Sequence, residues 1–348
     1  MGCFAQLHPE QVEALEGVDI VVGTNKRGKI IELLEEYQKE KRQIVEVNKQ
    51  NRQMSFEALE ISSYNENTRA FLKIQDGCNN FCTYCVIPYT RGNIRSRPKQ
   101  DVIDEVRRLV DNNYQEVVLT GIDMESYGVD LGHTTSLNDL IRSILTEVPE
   151  LKRLRISSLE ASQIDDEFVN LLKEFPQIAH HLHIPLQSGS QTVLKRMNRK
   201  YTKEEFRNNI RKIREAVPNI ALACDVIVGF PGETEEEFVE SYNFIIECGF
   251  DFLHVFPYSP RPGTVAAKMK DQVPGPVKKE RVRRLINLGE RLKAQYEDKF
   301  IGKDVDVIVE TYNKTTKLYK GYSSNYLEVH IPSEKDIRGQ YLRVKYTR

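Results

Sequence analysis

No apolar run in the 348 residues approaches the ~18 needed to span a membrane as a helix, so no membrane partner is predicted. The first residues, Met-Gly-Cys-Phe-Ala-Gln, lack the basic start, apolar stretch and small-residue cleavage site of a secretion signal. Charge of one sign is also lacking: 50 Lys and Arg stand against 51 Asp and Glu, a formal net charge of −1. That balance excludes a protein that grips nucleic acid with its whole surface, and any RNA contact has to come from local patches. Cysteine is scarce at six residues, and three of them sit together at Cys78, Cys82 and Cys85. Clustered at metal-binding spacing without a secretion signal, they predict a reducing, cytoplasmic setting.

The stretch Cys78 to Thr90 reads C-N-N-F-C-T-Y-C-V-I-P-Y-T. Ala70 to Ile74 ahead of it is apolar enough for a strand, and Gly77 ends that run. The three sulfurs are therefore expected on a loop at the C-terminal end of a strand, where α/β proteins place their chemistry. Thiolates so close together want a metal or a bridge. A structural zinc site would need a fourth ligand, and no Cys or His lies near in sequence. Three cysteines suit an iron–sulfur cluster with one open iron, while zinc and a disulfide stay as alternatives.

Most of the chain predicts alternating strands and helices. Strands are expected near 70–75, 116–120, 153–157, 181–185, 221–228 and 252–256, with helices between them such as Asp101 to Asn112 and Glu233 to Glu247. The class is α/β, either a partial (β/α) barrel of six units or a doubly wound sheet. Before it, Val18 to Val22 predicts a short strand, Lys26 to Lys41 a charged helix, and the polar run from Val47 to Thr68 a linker. After Gly302, Val305, Val307 and Val309 alternate with other residues, as do Leu327, Val329 and Ile331, which predicts a small β-barrel. From Phe300 onward there are nine Lys or Arg, six Asp or Glu and six tyrosines. Basic residues among aromatics suit an RNA surface, although a solvated, Tyr-rich β-domain explains the same letters.

The C-x-x-x-C-x-x-C spacing, with Tyr84 just before the last cysteine, resembles the signature of radical S-adenosylmethionine enzymes. The wider run Q-D-G-C-N-N-F-C-T-Y-C-V-I-P-Y-T-R-G, followed by Arg95-Ser96-Arg97, is similar to the tRNA methylthiotransferases of that superfamily. This resemblance implies that Cys78, Cys82 and Cys85 hold a 4Fe-4S cluster whose open iron binds S-adenosylmethionine, and it favours the six-unit partial barrel. It divides the chain into a remnant of an N-terminal domain (1–60), the radical core (68–295) and a TRAM-like RNA-binding module (300–348). It also implies tRNA as substrate and a reductant such as flavodoxin or ferredoxin.

The same resemblance marks further residues, each with a plainer account beside it. Tyr84 and Gly121, the latter after the strand Val117 to Leu119, are expected near the cofactor, though a glycine there is often only a turn. Ser158 and Glu160 end the third strand and could meet cofactor hydroxyls or charge, or simply form an exposed loop. Gln187 and Ser188, after H-L-H-I-P-L, are candidates for cofactor or substrate hydrogen bonds. Ile227 and Gly229 are expected against the adenine, while Thr234 and the acids after it serve as an ordinary helix start. Arg91, Arg95 and Arg97 suit tRNA phosphates, or make a solvated basic loop.

Asn80, the run I-S-S-L-E-A-S-Q and A-L-A-C-D-V-I-V-G-F look most like the branch acting on threonylcarbamoyladenosine. The isopentenyladenosine and ribosomal-protein branches are the close alternatives. The family's N-terminal domain supplies three cysteines to a second, auxiliary 4Fe-4S cluster, and only Cys3, in G-C-F-A-Q, matches one of them. Cys224 and Cys248 are expected to be buried and inert. The chain is therefore expected to be truncated, with a cofactor-cleaving or RNA-binding protein that no longer transfers sulfur as the alternative function.

Overall fold

The computed structural model describes residues 1–48, 55–59 and 68–347. The predicted linker at 47–68 falls mostly outside them. The chain opens with helices α1 (Cys3–Leu7) and α2 (Pro9–Glu13), then strand β1 (Ile20–Val22), helix α3 (Ile30–Glu40) and strand β2 (Ile44–Glu46), which pairs parallel with β1. Val22, Leu33 and Ile44 close a small apolar core between this sheet and α3. Thr24 fastens this unit to the rest of the protein by donating its hydroxyl hydrogen to the Thr90 carbonyl at 2.9 Å.

Six parallel strands form the body: β3 (Arg69–Lys73), then, past the short β4 (Gln75–Asp76) and β5 (Arg95–Ser96), β6 (Glu116–Thr120), β7 (Arg153–Ile156), β8 (His181–His183), β9 (Ala221–Val228) and β10 (Phe252–Pro257). They lie in two three-stranded sheets, β3-β6-β7 and β8-β9-β10, bridged where Leu154 meets Ile178. Strand order follows sequence order within each sheet, without the reversal that a doubly wound sheet requires.

The two faces of these strands differ because successive side chains alternate. Ala70, Leu72, Val117, Leu119, Leu154, Leu222 and Val226 point outward into one large core shared with the intervening helices. Those helices start on strong caps. Ser136, Thr202 and Thr234 each accept the backbone N–H three residues on, and Asp139, Glu205 and Glu237 reach back to the cap N–H. Such a box satisfies donors the helix cannot, so the predicted helix near Glu233 begins at Glu235, one residue past its cap.

The other face carries Arg69, Glu116, Arg153, Arg155, His181, His183, Asp225 and His254, so the channel between the sheets is polar. Its N-terminal end is covered by a four-stranded antiparallel sheet, β11 (Asp304–Asn313), β12 (Leu318–Ser323), β13 (Glu328–Pro332) and β14 (Tyr341–Lys345), in the order β13-β12-β11-β14. Arg153 donates to the carbonyls of Asp306 at 2.9 Å and Tyr322 at 3.0 Å, and Tyr326 stacks on His181 with ring centroids 4.5 Å apart. Glu116 accepts from Arg153 at 3.1 Å and Arg155 at 2.8 Å beneath this cover. Tyr296 and Phe300, at the end of the long helix Gly275–Asp298, join Val307, Leu327, Val329 and Tyr346 in the core under the sheet. No helix among the described residues is long and apolar enough to cross a membrane.

Candidate active site

The three cysteines lie at the opposite, C-terminal end of the parallel strands. Antiparallel pairing of Gln75 with Ser96 and Asp76 with Arg95 closes the neck of their loop. Gly77 starts the loop at φ 77°, and a Cβ there would stand 1.9 Å from the Asn93 carbonyl oxygen, so only glycine fits. Thr83 anchors the far side, donating to the Arg196 carbonyl at 2.9 Å and accepting the Ala266 N–H at 2.9 Å. The loop is thus held by segments following β8 and β10, not only by its own strand.

All three thiols are free, which removes the disulfide. Each sulfur has an N–H directed at it: Asn80 N to Cys78 at 3.4 Å, Ile87 N to Cys85 at 3.4 Å, and Arg199 Nη1 to Cys82 at 3.5 Å. Such donors stabilise sulfur that carries negative charge. Burial, assisted by the Asp123 carboxylate 3.5 Å away, pushes the Cys78 thiol up to about 12, and burial raises Cys85 as well. These protons leave when a metal supplies the compensating charge. Three free sulfurs on one loop leave a zinc ion one ligand short of a closed tetrahedral site. The donor set fits a multi-iron cluster.

Gln75 couples this loop to the next. Fully buried, it accepts the N–H groups of Ile122 at 2.9 Å and Asp123 at 2.8 Å and donates to the Gly77 carbonyl at 2.8 Å. A Cβ on Gly121 would lie 2.6 Å from Met124 Cγ and 3.2 Å from Gln75, so the glycine permits this close packing. Beside Cys82 opens a cavity of about 440 Å³ lined by Asn80, Glu125, Glu160, Asn198, Arg199 and Tyr201, among others. Its size suits a small-molecule cofactor. Arg199 forms an ion pair with Glu160 and stacks over Tyr201 at 4.9 Å from the ring centroid.

Comparison with known proteins fits this arrangement. Residues 72–245 match the model of the Radical SAM superfamily. The threonylcarbamoyladenosine tRNA methylthiotransferase MtaB of Bacillus subtilis (strain 168) is 47% identical over 99% of this chain and 77% of its own length. The protein of that name from Aquifex aeolicus (strain VF5) is 36% identical over 99% of this chain and 81% of its own. A tRNA-2-methylthio-N(6)-dimethylallyladenosine synthase of Acetivibrio thermocellus is 39% identical over 99% of this chain and 72% of its own.

The chain belongs to the radical SAM tRNA methylthiotransferase family.

Within this radical SAM chain the sequence-predicted residues divide into three groups. Cys78, Cys82, Cys85 and Glu160 converge on the cavity and its loop, with Gly121 packed beneath. Tyr84 and Ile227 meet in an adjoining apolar cluster with Phe230 and Tyr258. Gln187, at φ 62°, donates its N–H to the Asp225 carbonyl at 2.8 Å, and Ser158 is a half-buried loop residue. Three expectations need correction. Ser188 is fully buried and its hydroxyl accepts the Ser190 N–H at 3.2 Å, so it does not reach the mouth. The space beside Gly229 is filled by Lys278, whose Cγ lies 2.2 Å from where a Cβ would be, so its close approach is to protein. Arg95 and Arg97 are not on a solvated loop: both are buried, Arg97 pairs with Glu105 at 2.5 Å, and Arg95 donates to the Arg91 carbonyl at 2.7 Å.

Cys224 and Cys248 are buried as expected, and burial raises both, Cys248 to about 12. Sequence inspection missed Gln75, Arg199 and Tyr201. The polar run Asn198 to Tyr201 just before the Thr202 cap is the signal that could have marked two of them. In the channel below, His183 Nε2 lies 3.0 Å and His254 Nδ1 3.6 Å from Asp225 Oδ1, a second grouping of metal-ligand type.

Proposed function

We propose that this chain methylthiolates tRNA at threonylcarbamoyladenosine by radical S-adenosylmethionine chemistry. The observation that carries this is the trio of free cysteines on one pinned loop beside a cavity bearing Arg199 and Glu160. When bound there, a 4Fe-4S cluster and S-adenosylmethionine supply the radical and the methyl group. The protein's part is to bind and orient. Cys78, Cys82 and Cys85 hold the cluster, and the N–H groups of Asn80, Ile87 and Arg199 balance charge on their sulfurs. Arg199 and Glu160 offer opposite charges to the carboxylate and amine of an amino-acid group. Tyr84 and Ile227 offer the adjoining apolar wall to an adenine ring.

Around this site we assign an N-terminal unit at 1–60, a six-unit partial (β/α) barrel at 68–295 and a TRAM-like RNA-binding module at 300–348. The sequential order of the six parallel strands and the antiparallel sheet after them support these assignments. Cys3, on a helix packed against the helix Ile87–Thr90, serves as one ligand of an auxiliary cluster. Arg91, partly exposed beside that helix, contacts tRNA. A flavodoxin- or ferredoxin-type donor supplies electrons.

An anaerobic assay tests the whole. Reconstituted, reduced protein given S-adenosylmethionine and tRNA should form 5′-deoxyadenosine and a methylthio nucleoside, both followed by mass spectrometry. A loaded cluster with no cofactor cleavage would reject the enzyme reading.

A further inference from the structure

Two residues ahead of Cys78, one carboxylate collects four cations. Asp76 Oδ2 pairs with Lys73, with Arg91 at 3.5 Å, with Arg95 at 3.5 Å and with Arg27 at 3.9 Å. Among the described residues the one other acid in this group is Glu57, 2.9 Å from Arg27. The side chains of Asp76 and Arg95 are 4% and 6% exposed, so part of this positive charge is held away from water, where a surplus of one sign is costly. Among the described residues no hydrogen-bond partner meets the buried Arg91 Nε. The node is nevertheless reachable: the side chains of Lys73, Arg27 and Arg91 are 31%, 24% and 21% exposed. Lys73 ends β3 on the channel side, at the same end as the cysteine loop.

From this geometry we propose that the Lys73–Arg27–Arg91–Arg95 node is an anion site for the carboxylate of the substrate's threonylcarbamoyl group. The inference rests on the function proposed above. A threonylcarbamoyl substituent ends in a free carboxylate, whereas a dimethylallyl substituent is a hydrocarbon, so a cationic recess favours the former by charge alone. Guanidinium groups present paired N–H donors that match the two oxygens of a carboxylate, and Lys73 adds a point charge. A backbone phosphate is the competing anion. The place of the node, at the C-terminal end of β3 and two residues from Cys78, favours a group attached to the reacting base.

Three anticodon stem-loop RNAs test this: one with threonylcarbamoyladenosine, one with its carboxylate converted to the amide, and one with plain adenosine. Wild-type protein should bind the carboxylate form roughly tenfold or more tighter than the amide, the size of one charge-assisted hydrogen bond. In Lys73→Gln and Arg27→Gln that preference should collapse, with affinity for the amide and plain forms unchanged. Equal wild-type binding of acid and amide overturns the proposal without any variant that has to fold. Equal weakening of all three RNAs in the variants, with a shallower salt dependence, overturns it in favour of a backbone phosphate. Methylthiolation of acid and amide alike would sink this site yet leave the proposed function intact, whereas no methylthiolation of any RNA would sink the function itself.

Discussion

Arg199 Nη1 stands 3.5 Å from Cys82 Sγ although 117 residues separate the two in sequence. The same guanidinium pairs with Glu160, so one side chain ties Cys82 to the segment after the third parallel strand. Lysine cannot make both contacts, because its single ammonium lacks the planar fork. Arg199→Lys should therefore load iron normally yet cleave S-adenosylmethionine roughly 10- to 100-fold more slowly, the worth of one charge-assisted hydrogen bond. Iron analysis beside 5′-deoxyadenosine release checks both halves, and an unchanged rate would return Arg199 to a packing role.

Replacing Cys78, Cys82 and Cys85 together by Ala should remove about four irons from the reconstituted protein, as one 4Fe-4S cluster requires. Thermal unfolding of the unreconstituted protein should barely change, since all three side chains are only partly buried. Full iron retention in the triple variant would defeat the ligand assignment.

Gly77→Ala places a methyl group 1.9 Å from the Asn93 carbonyl oxygen at φ 77°. Both partners are backbone, so the neck of the loop has to open. Cluster loading should fall sharply while helical circular dichroism stays near wild type, because the main core lies on the outer side of the strands. Normal loading would mean that the loop absorbs the shift.

Glu116 is 2% exposed and faces Arg153, Arg155 and Arg69. Burial raises its carboxyl, but the three arginines outweigh this and hold it below the usual carboxylate range. A depressed native value stabilises the fold above the unfolded carboxylate value, about 4.3, and that stability drains away as pH falls through the native one. Denaturant melts should show a steeper acid loss in wild type than in Glu116→Gln. Glu116→Ala, which strands buried guanidinium groups, should cost about 3–5 kcal/mol at neutral pH. A cost near zero would mean that water enters and solvates them.

The sequence alone determined the cysteine loop, the six strands and the helix starts. These depend on local order: apolar runs, a glycine at a strand end, and Thr234 followed three residues later by Glu237. Burial of Cys224 and Cys248 followed from their place inside apolar units. Tertiary structure decided which charges are spent inside the protein. Arg95 and Arg97 look like a surface run, yet their partners Asp76 and Glu105 lie on other elements, and pairing outweighs exposure once those elements pack. It also brought Gln75 under Asp123 and Arg199 beside Cys82, contacts spanning 48 and 117 residues. A parallel sheet with helical crossovers sets such neighbours side by side at the C-terminal strand ends, and spacing along the chain carries no trace of it.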